Sequence, residues 1–292
     1  MSRPSSSALH RAPPARGDAQ ADSARQAIAP AAPWIERLAR VGYAAKALLY
    51  SMVGLLALQA AIGQGGRTTG SRGALATLVR QRGGALVLVV IAAGLFGYAA
   101  WRIIEAILDP EHRGHSPKAL ALRGSYMARG IIHAAIGVQA ARFAMGSDHG
   151  RGQAVEVWTA RMLSAPLGRW LVIAGGIAVL GYALYQLYRA WAAKLSRQLD
   201  LSRLSRDTAS WLTTACRIGI GARGIVFAVI GGYLVRAGLA KNAAAAADTG
   251  EALGAIEQQP FGEWMLAAVA FGLVAYAAYE VVQARYRVIR PA

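Results

Sequence analysis

The chain has 292 residues and a net charge of +17, with 55% hydrophobic residues, only 16% charged residues and 33 glycines. Soluble domains carry about 25% charged residues, so an ordinary water-facing globular surface is excluded. A single cysteine, Cys216, rules out an intramolecular disulfide framework and any multi-cysteine metal site.

Residues 1–33 are rich in Ser, Pro, Ala and Arg and lack the large apolar residues a core needs. They read as a disordered basic tail, and without an apolar stretch they do not form a signal peptide. Six apolar blocks follow, near 41–63, 84–108, 124–146, 167–190, 216–240 and 262–284. Each is about 20 residues or longer, the length that crosses about 30 Å of hydrocarbon as a helix. The expected fold is all-α: a polytopic membrane protein with six transmembrane helices. The high positive charge would suit nucleic acid, but the cations fall in short segments between the apolar blocks, as membrane topology requires. Nucleic acid is therefore not an expected partner.

The chain repeats itself at offsets of about 83 and about 177 residues. In the first helix of each copy, Arg40 matches Arg123 and Arg217, and Gly42 matches Ser125 and Gly219. Lys46 matches Arg129 and Arg223, Tyr50 matches His133 and Phe227, and Gly54 matches Gly137 and Gly231. In the second helix, "GYAAWRIIE" (97–105) corresponds to "GYALYQLYR" (181–189) and "AYAAYEVVQ" (275–283). The units are residues 34–109, 118–192 and 211–286, each a pair of helices.

Three tandem pairs with an "RVGYAAKALLY" opening and a "GLFGYAAWR" close resemble the bacterial family called domain of unknown function 1206. The resemblance covers about residues 34 to 288. The "QQPFGEW" segment before the last helix is also similar to the family pattern, where the first copy has "QRGGAL". The resemblance implies the paired-helix architecture in a bacterial cytoplasmic (inner) membrane and brings no activity or cofactor with it.

An even number of spans places both termini on one side. That side holds 18 Lys/Arg, the other ten, and four lie inside the spans. The bias predicts cytoplasmic termini. The loops facing the other side each contain a short apolar-periodic piece: "ALATLV", "VEVWTARML" and "EALGAIEQQPF". Trp158, Trp170, Phe261 and Trp264 fit an aromatic layer at headgroup depth on that side.

Lys46 is the only charge from Val41 to Gly63 and enters the first span by about 7 Å at 1.5 Å per residue. Two readings apply to Lys46, Arg129 and Arg223. The plainer makes them snorkelling anchors at the inner end of each first helix, with Gln59, Arg142 and Arg236 at the outer end. The sharper starts from helical phase: Tyr43, Lys46, Tyr50 and Gly54 share a face, as do Tyr126, Arg129, His133 and Gly137. Such a face turns toward protein, so the three cations would converge on a pseudo-three-fold axis and hold an anion or a lipid headgroup. The second helices bring Arg102, Gln186 and Glu280 to the same depth and, one turn on, Glu105, Arg189 and Gln283. Embedded charges tend to pair, which predicts Lys46 with Glu105 and Arg223 with Glu280. Arg129, with no acidic partner in its own repeat, is then the cation open to a ligand.

Other motifs carry little. "GIGARG" (219–224) scans as a dinucleotide fingerprint but lies inside a span and reads as packing. Asp109, Glu111, His112 and His115 read as a solvated linker before a metal site. His133 fills an aromatic slot first and is a proton-relay candidate second. The function expected is a non-catalytic membrane protein acting through lipid or a partner; the alternative is a channel or transporter for a small or anionic solute along the repeat axis. No serine-histidine-acid set, paired embedded carboxylates or phosphate loop supports an enzyme, and no cofactor or metal is expected. The orientation has a direct check. Cysteines placed at Ser5 and Pro291 should be shielded from an impermeant thiol reagent in intact cells while one at Thr69 is labelled; labelled termini would reverse the topology.

Overall fold

The computed structural model describes residues 32–66, 68–109, 114, 116–147, 154–192 and 205–286. Its long helices are α1 (Ala32–Ala61), α3 (Gly84–Leu108), α4 (Pro117–Ala144), α6 (Gly168–Ala192), α7 (Arg206–Ala240) and α9 (Gly262–Tyr286). Between the members of each pair sit three short helices: α2 (Ser71–Val79), α5 (Ala154–Leu163) and α8 (Thr249–Glu257). These are the three apolar-periodic pieces of the loops. The described residues contain no strand.

Local sequence sets the helix starts. Ser116 accepts a hydrogen bond from the Ala119 N–H with Pro117 in the first turn, and Ser205 accepts one from Thr208. Asp248 and Glu251 close a reciprocal capping box on α8. The corner from short to long helix is built the same way three times. Gly83, Leu167 and Phe261, at equivalent positions, all take positive φ, of 76°, 62° and 59°. The next residue is always glycine (Gly84, Gly168, Gly262), and a Cβ there would overlap the carbonyl of Leu78, Met162 or Glu257. The first copy's "GG" and the later "LG" and "FG" are therefore one turn.

Five long helices, all but α4, are apolar enough to cross a membrane. The expectation of six equivalent spans is modified at α4. It has 28 residues and spans the same bundle, but Arg129, His133 and Gln139 fall in its middle and lower its apolarity. In lipid such residues are tolerated where they face protein or a polar cavity.

The long helices pack as a ring in the order α4, α3, α1, α9, α7, α6. Repeat joins repeat through α3 with α4, α6 with α7, and α9 with α1. Each of these joints has the same two parts. Gly54 and Gly231 let the backbones close on α9 and α6, where a Cβ would press on Val274 and Leu180, and Gly137 leaves room for the Phe96 ring of α3. Arg40, Arg123 and Arg217 then donate to terminal carbonyls of the neighbouring helix: Ala284 and Arg285, Ala106 and Ile107, Ala190 and Trp191. Those carbonyls have no partner within their helix, and a cation at a helix C-terminus also complements the dipole.

Contact within a repeat is less uniform. Gly42 lies against Tyr98 and Gly94 and so closes α1 on α3; Gly219 lies against the Tyr276 backbone and closes α7 on α9. The middle repeat has Ser125 at this position, and among the described residues α4 and α6 do not pack along their length. The ring therefore has one seam. At the far end, which carries the short helices, the interior is apolar: Leu49, Val53, Leu88, Ile91, Leu95, Leu266 and Leu273 join Leu75 of α2 and Leu253 of α8 in one buried cluster. Trp158, Trp170, Phe261 and Trp264 are all exposed.

The glycine asymmetry gives a stability test. Overpacking a close helix contact costs about 1–3 kcal/mol, and a substitution on open surface less than about 0.5 kcal/mol. Gly219→Ala should fall in the first class and Ser125→Ala near the second, read as thermal unfolding in detergent; equal losses would contradict the seam.

Candidate functional site: a cationic, tyrosine-lined cavity on the repeat axis

The near half of the bundle, where the chain enters α1 and leaves α9, is polar inside. Equivalent positions of the three first helices contribute Lys46, Arg129 and Arg223, and those of the second helices Tyr98, Tyr182 and Tyr276. Together with Arg102, His133, Gln186, Arg189 and Gln283 they line a cavity of about 60 Å³. A water needs roughly 10–15 Å³ measured in this way, so several waters or one small anionic group fit, and a drug-sized molecule does not.

Lys46 is only 3% exposed and Arg223 6%. Both are enclosed by protein, as the protein-facing reading of their helix faces expects; Arg129 is the partly exposed member of the trio. Lys46 Nζ sits 2.8 Å from Glu280 Oε1 and 4.4 Å above the Tyr98 ring. Arg102 Nη1 donates to Glu105 Oε2 at 2.5 Å, while its Nε and Nη2 donate to the hydroxyls of Tyr98 and Tyr43, each at 2.9 Å. The expected pairs, Lys46 with Glu105 and Arg223 with Glu280, are thus corrected. Arg102 lies one turn from Glu105 on the same helix and takes it first. Glu280 comes to Lys46 because α9 packs on α1 as closely as on α7, a neighbourhood that pairing by repeat ignores.

Arg223 is held by rings and hydroxyls. Its Nε donates to Tyr50 Oη at 3.1 Å and its Nη1 to Tyr182 Oη at 2.9 Å, with the guanidinium 4.5 Å from the Phe227 ring and 5.0 Å from Tyr276. Cation–π contact of this kind gains strength away from water. Arg129 donates from Nη2 to Ser125 Oγ at 3.3 Å and lies 5.5 Å from the rings of Tyr126 and Tyr182. Its buried Nε has no hydrogen-bond partner. Arg189 donates to Gln186 Oε1 and Tyr279 Oη, both at 3.4 Å. Gln283 Nε2 lies 3.5 Å from Glu280 Oε2.

His133 is buried, its Nδ1 2.8 Å from the Arg129 carbonyl and its ring 4.7 Å from that of Tyr98. It occupies the aromatic slot filled by Tyr50 and Phe227 in the other repeats. "GIGARG" is packing, with Gly219 against Tyr276 and Gly224 against Leu187. Of the linker group, Glu111, His112 and His115 lie outside the described residues.

The tyrosines are what reasoning from sequence missed. Tyr98, Tyr182 and Tyr276 recur at one register, and that was the available signal. A tyrosine in an apolar helix reads as bulk until its hydroxyl is found on a buried guanidinium.

The crossed pairing can be tested by charge reversal. Removing one partner of a buried ion pair costs about 3–5 kcal/mol, because the other charge is left uncompensated. Lys46→Glu should sharply lower folded yield, and Glu280→Lys should restore a large part of it in the double variant. Glu105→Lys should not rescue Lys46→Glu, and rescue by that route would overturn the assignment.

The profile of the Domain of Unknown Function (DUF1206) family matches the chain three times, over residues 41–109, 124–193 and 218–287. An uncharacterized protein, YxxB, from Bacillus subtilis (strain 168) is 32% identical over 255 residues, covering 87% of this chain and 92% of its own length. No solved structure matches the chain. Three copies of the helix pair, their shared arginine and glycine joints and a relative matched over nearly its whole length lead to one conclusion: the chain belongs to the DUF1206 family.

Proposed function

We propose that this multi-pass membrane protein is a non-catalytic binder that holds a small anionic group, of phosphate type, in the cavity on its repeat axis. The observation that carries the reading is the lining. Among the described residues, five cationic side chains and no carboxylate face the cavity, while the carboxylates that pair with Lys46 and Arg102 lie outside the lining. Arginine forks and tyrosine hydroxyls are donors suited to oxyanions, and arginine engages them through two parallel bonds. Around them the protein excludes bulk water, which strengthens each such contact.

Binding is favoured over conduction. The far half of the bundle holds the buried apolar cluster around Leu49, Leu95 and Leu273, which includes Leu75 of α2 and Leu253 of α8. A path for ions would have to cross that packed region. Among the described residues, the two buried carboxylates of the bundle, Glu105 and Glu280, are both engaged by cations, which supports a binding rather than a catalytic role. In the proposed setting the protein lies in the bacterial inner membrane with both termini cytoplasmic, so the cavity opens toward the cytoplasmic leaflet; the ligand is a lipid headgroup or a small free anion. Nucleic acid has no place in this reading.

Thermal unfolding in neutral detergent tests the site at constant ionic strength, with inorganic phosphate, sulfate or chloride added and bound lipid quantified by mass spectrometry. A ligand at about a hundred times its Kd stabilises by about 2.7 kcal/mol. Phosphate or a co-purifying phosphate-bearing molecule should stabilise the protein, and Arg129→Gln should fold normally and lose the effect. If no anionic molecule binds above the level seen with Arg129→Gln, the reading is wrong.

A further inference from the structure

The seam between α4 and α6 coincides with the cationic cavity. Tyr126 and Arg129 on one side and Tyr185 and Arg189 on the other belong both to its flanks and to the cavity lining. We propose that the seam is a lateral portal, through which an anionic phospholipid sets its phosphate on Arg129 while its acyl chains stay in the bilayer. The proposal rests on the anion-binding reading above and names the source of the anion.

Four observations converge on it. The opening has a cause in the sequence, because Ser125 stands where Gly42 and Gly219 bring the other two repeats together. Across the seam the change is mirrored: Gly97 of α3 lies against Leu38, whereas its equivalent Gly181 of α6 has nothing within 4 Å of where its Cβ would be. The Arg129 Nε, buried at this place, has no partner, although most buried donors in proteins are hydrogen-bonded. Finally, about 60 Å³ accommodates a phosphate group and not a diacyl lipid, so any lipid bound here must leave its chains outside. The seam is the only side of the ring, among the described residues, at which two neighbouring long helices do not pack. Soluble phosphate offers the same chemistry but would need no opening toward lipid.

The test uses the full chain in phosphatidylcholine nanodiscs with and without phosphatidylglycerol, read by native mass spectrometry, alongside inorganic phosphate in detergent, read by thermal unfolding. Two variants are compared. Arg129→Gln removes the docking cation, and Gly181→Trp adds bulk at the seam while leaving every cation of the cavity in the sequence. Phosphatidylglycerol should be retained over phosphatidylcholine by about tenfold, equivalent to about 1.4 kcal/mol, and both variants should abolish that preference. Stabilisation by inorganic phosphate should persist in Gly181→Trp and vanish in Arg129→Gln, which also shows that the tryptophan variant is folded. If phosphate binds and phosphatidylglycerol is not preferred, the cavity reading stands and the portal falls. Equal phosphatidylglycerol retention in either variant likewise refutes the portal, and binding of neither ligand refutes both readings.

Discussion

The ring rests on three arginines that donate to the ends of helices in the neighbouring repeat. In a bilayer the last carbonyls of a helix have no water to turn to, and each one left without a partner costs free energy. Arg40, Arg123 and Arg217 meet that need for α9, α3 and α6, and in doing so tie each repeat to the one before it. The glycines fourteen residues further along, Gly54, Gly137 and Gly231, serve the same three joints toward the middle of the helices. Each joint therefore has a polar clasp near its end and a glycine contact deeper down, against backbone for Gly54 and Gly231 and against the Phe96 ring for Gly137. All three joints are kept, which lets one of the contacts inside a repeat open without loss of the bundle.

The clasps leave the interior divided. In the far half, leucines and alanines pack as they would in any apolar core. In the near half, charge is buried and has to be answered. Lys46 is answered by Glu280, from the third repeat, and Arg102 by Glu105, one turn along its own helix. Arg223 is answered by two tyrosine hydroxyls and a wall of rings, without a carboxylate in hydrogen-bond contact. Tyrosine suits this role because its ring packs in the bundle while its hydroxyl meets a polar group, and its π face also attracts a cation. The anion proposed for the cavity would give these cations a further partner.

The three repeats have diverged in a way that gives each a part. The first and third close their helix pairs through Gly42 and Gly219 and contribute the Lys46–Glu280 bridge that joins them. The middle repeat carries Ser125 and His133 where the first and third have glycine and an aromatic ring, and its helix pair stands apart. The same substitutions that make α4 less apolar than its counterparts place polar groups beside the seam.

Much of this was determined by the sequence alone. Block length set the helices, because about 20 apolar residues have one inexpensive conformation in hydrocarbon. The repeat register aligned Arg40, Arg123 and Arg217, and it also aligned Lys46, Arg129 and Arg223, so the level of the bundle at which charge gathers was legible. So was the divergence at Ser125. Which carboxylate meets which cation was decided only by the tertiary structure. Helical phase gives the face of a helix but not the helix opposite, and a buried charge pairs with whatever the packing brings within reach. Glu280 lies next to Lys46 because the ring closes α9 on α1, a contact between the two ends of the chain that no local pattern encodes. The tyrosine lining and the seam arise in the same way, from side chains and gaps shared among helices far apart in sequence.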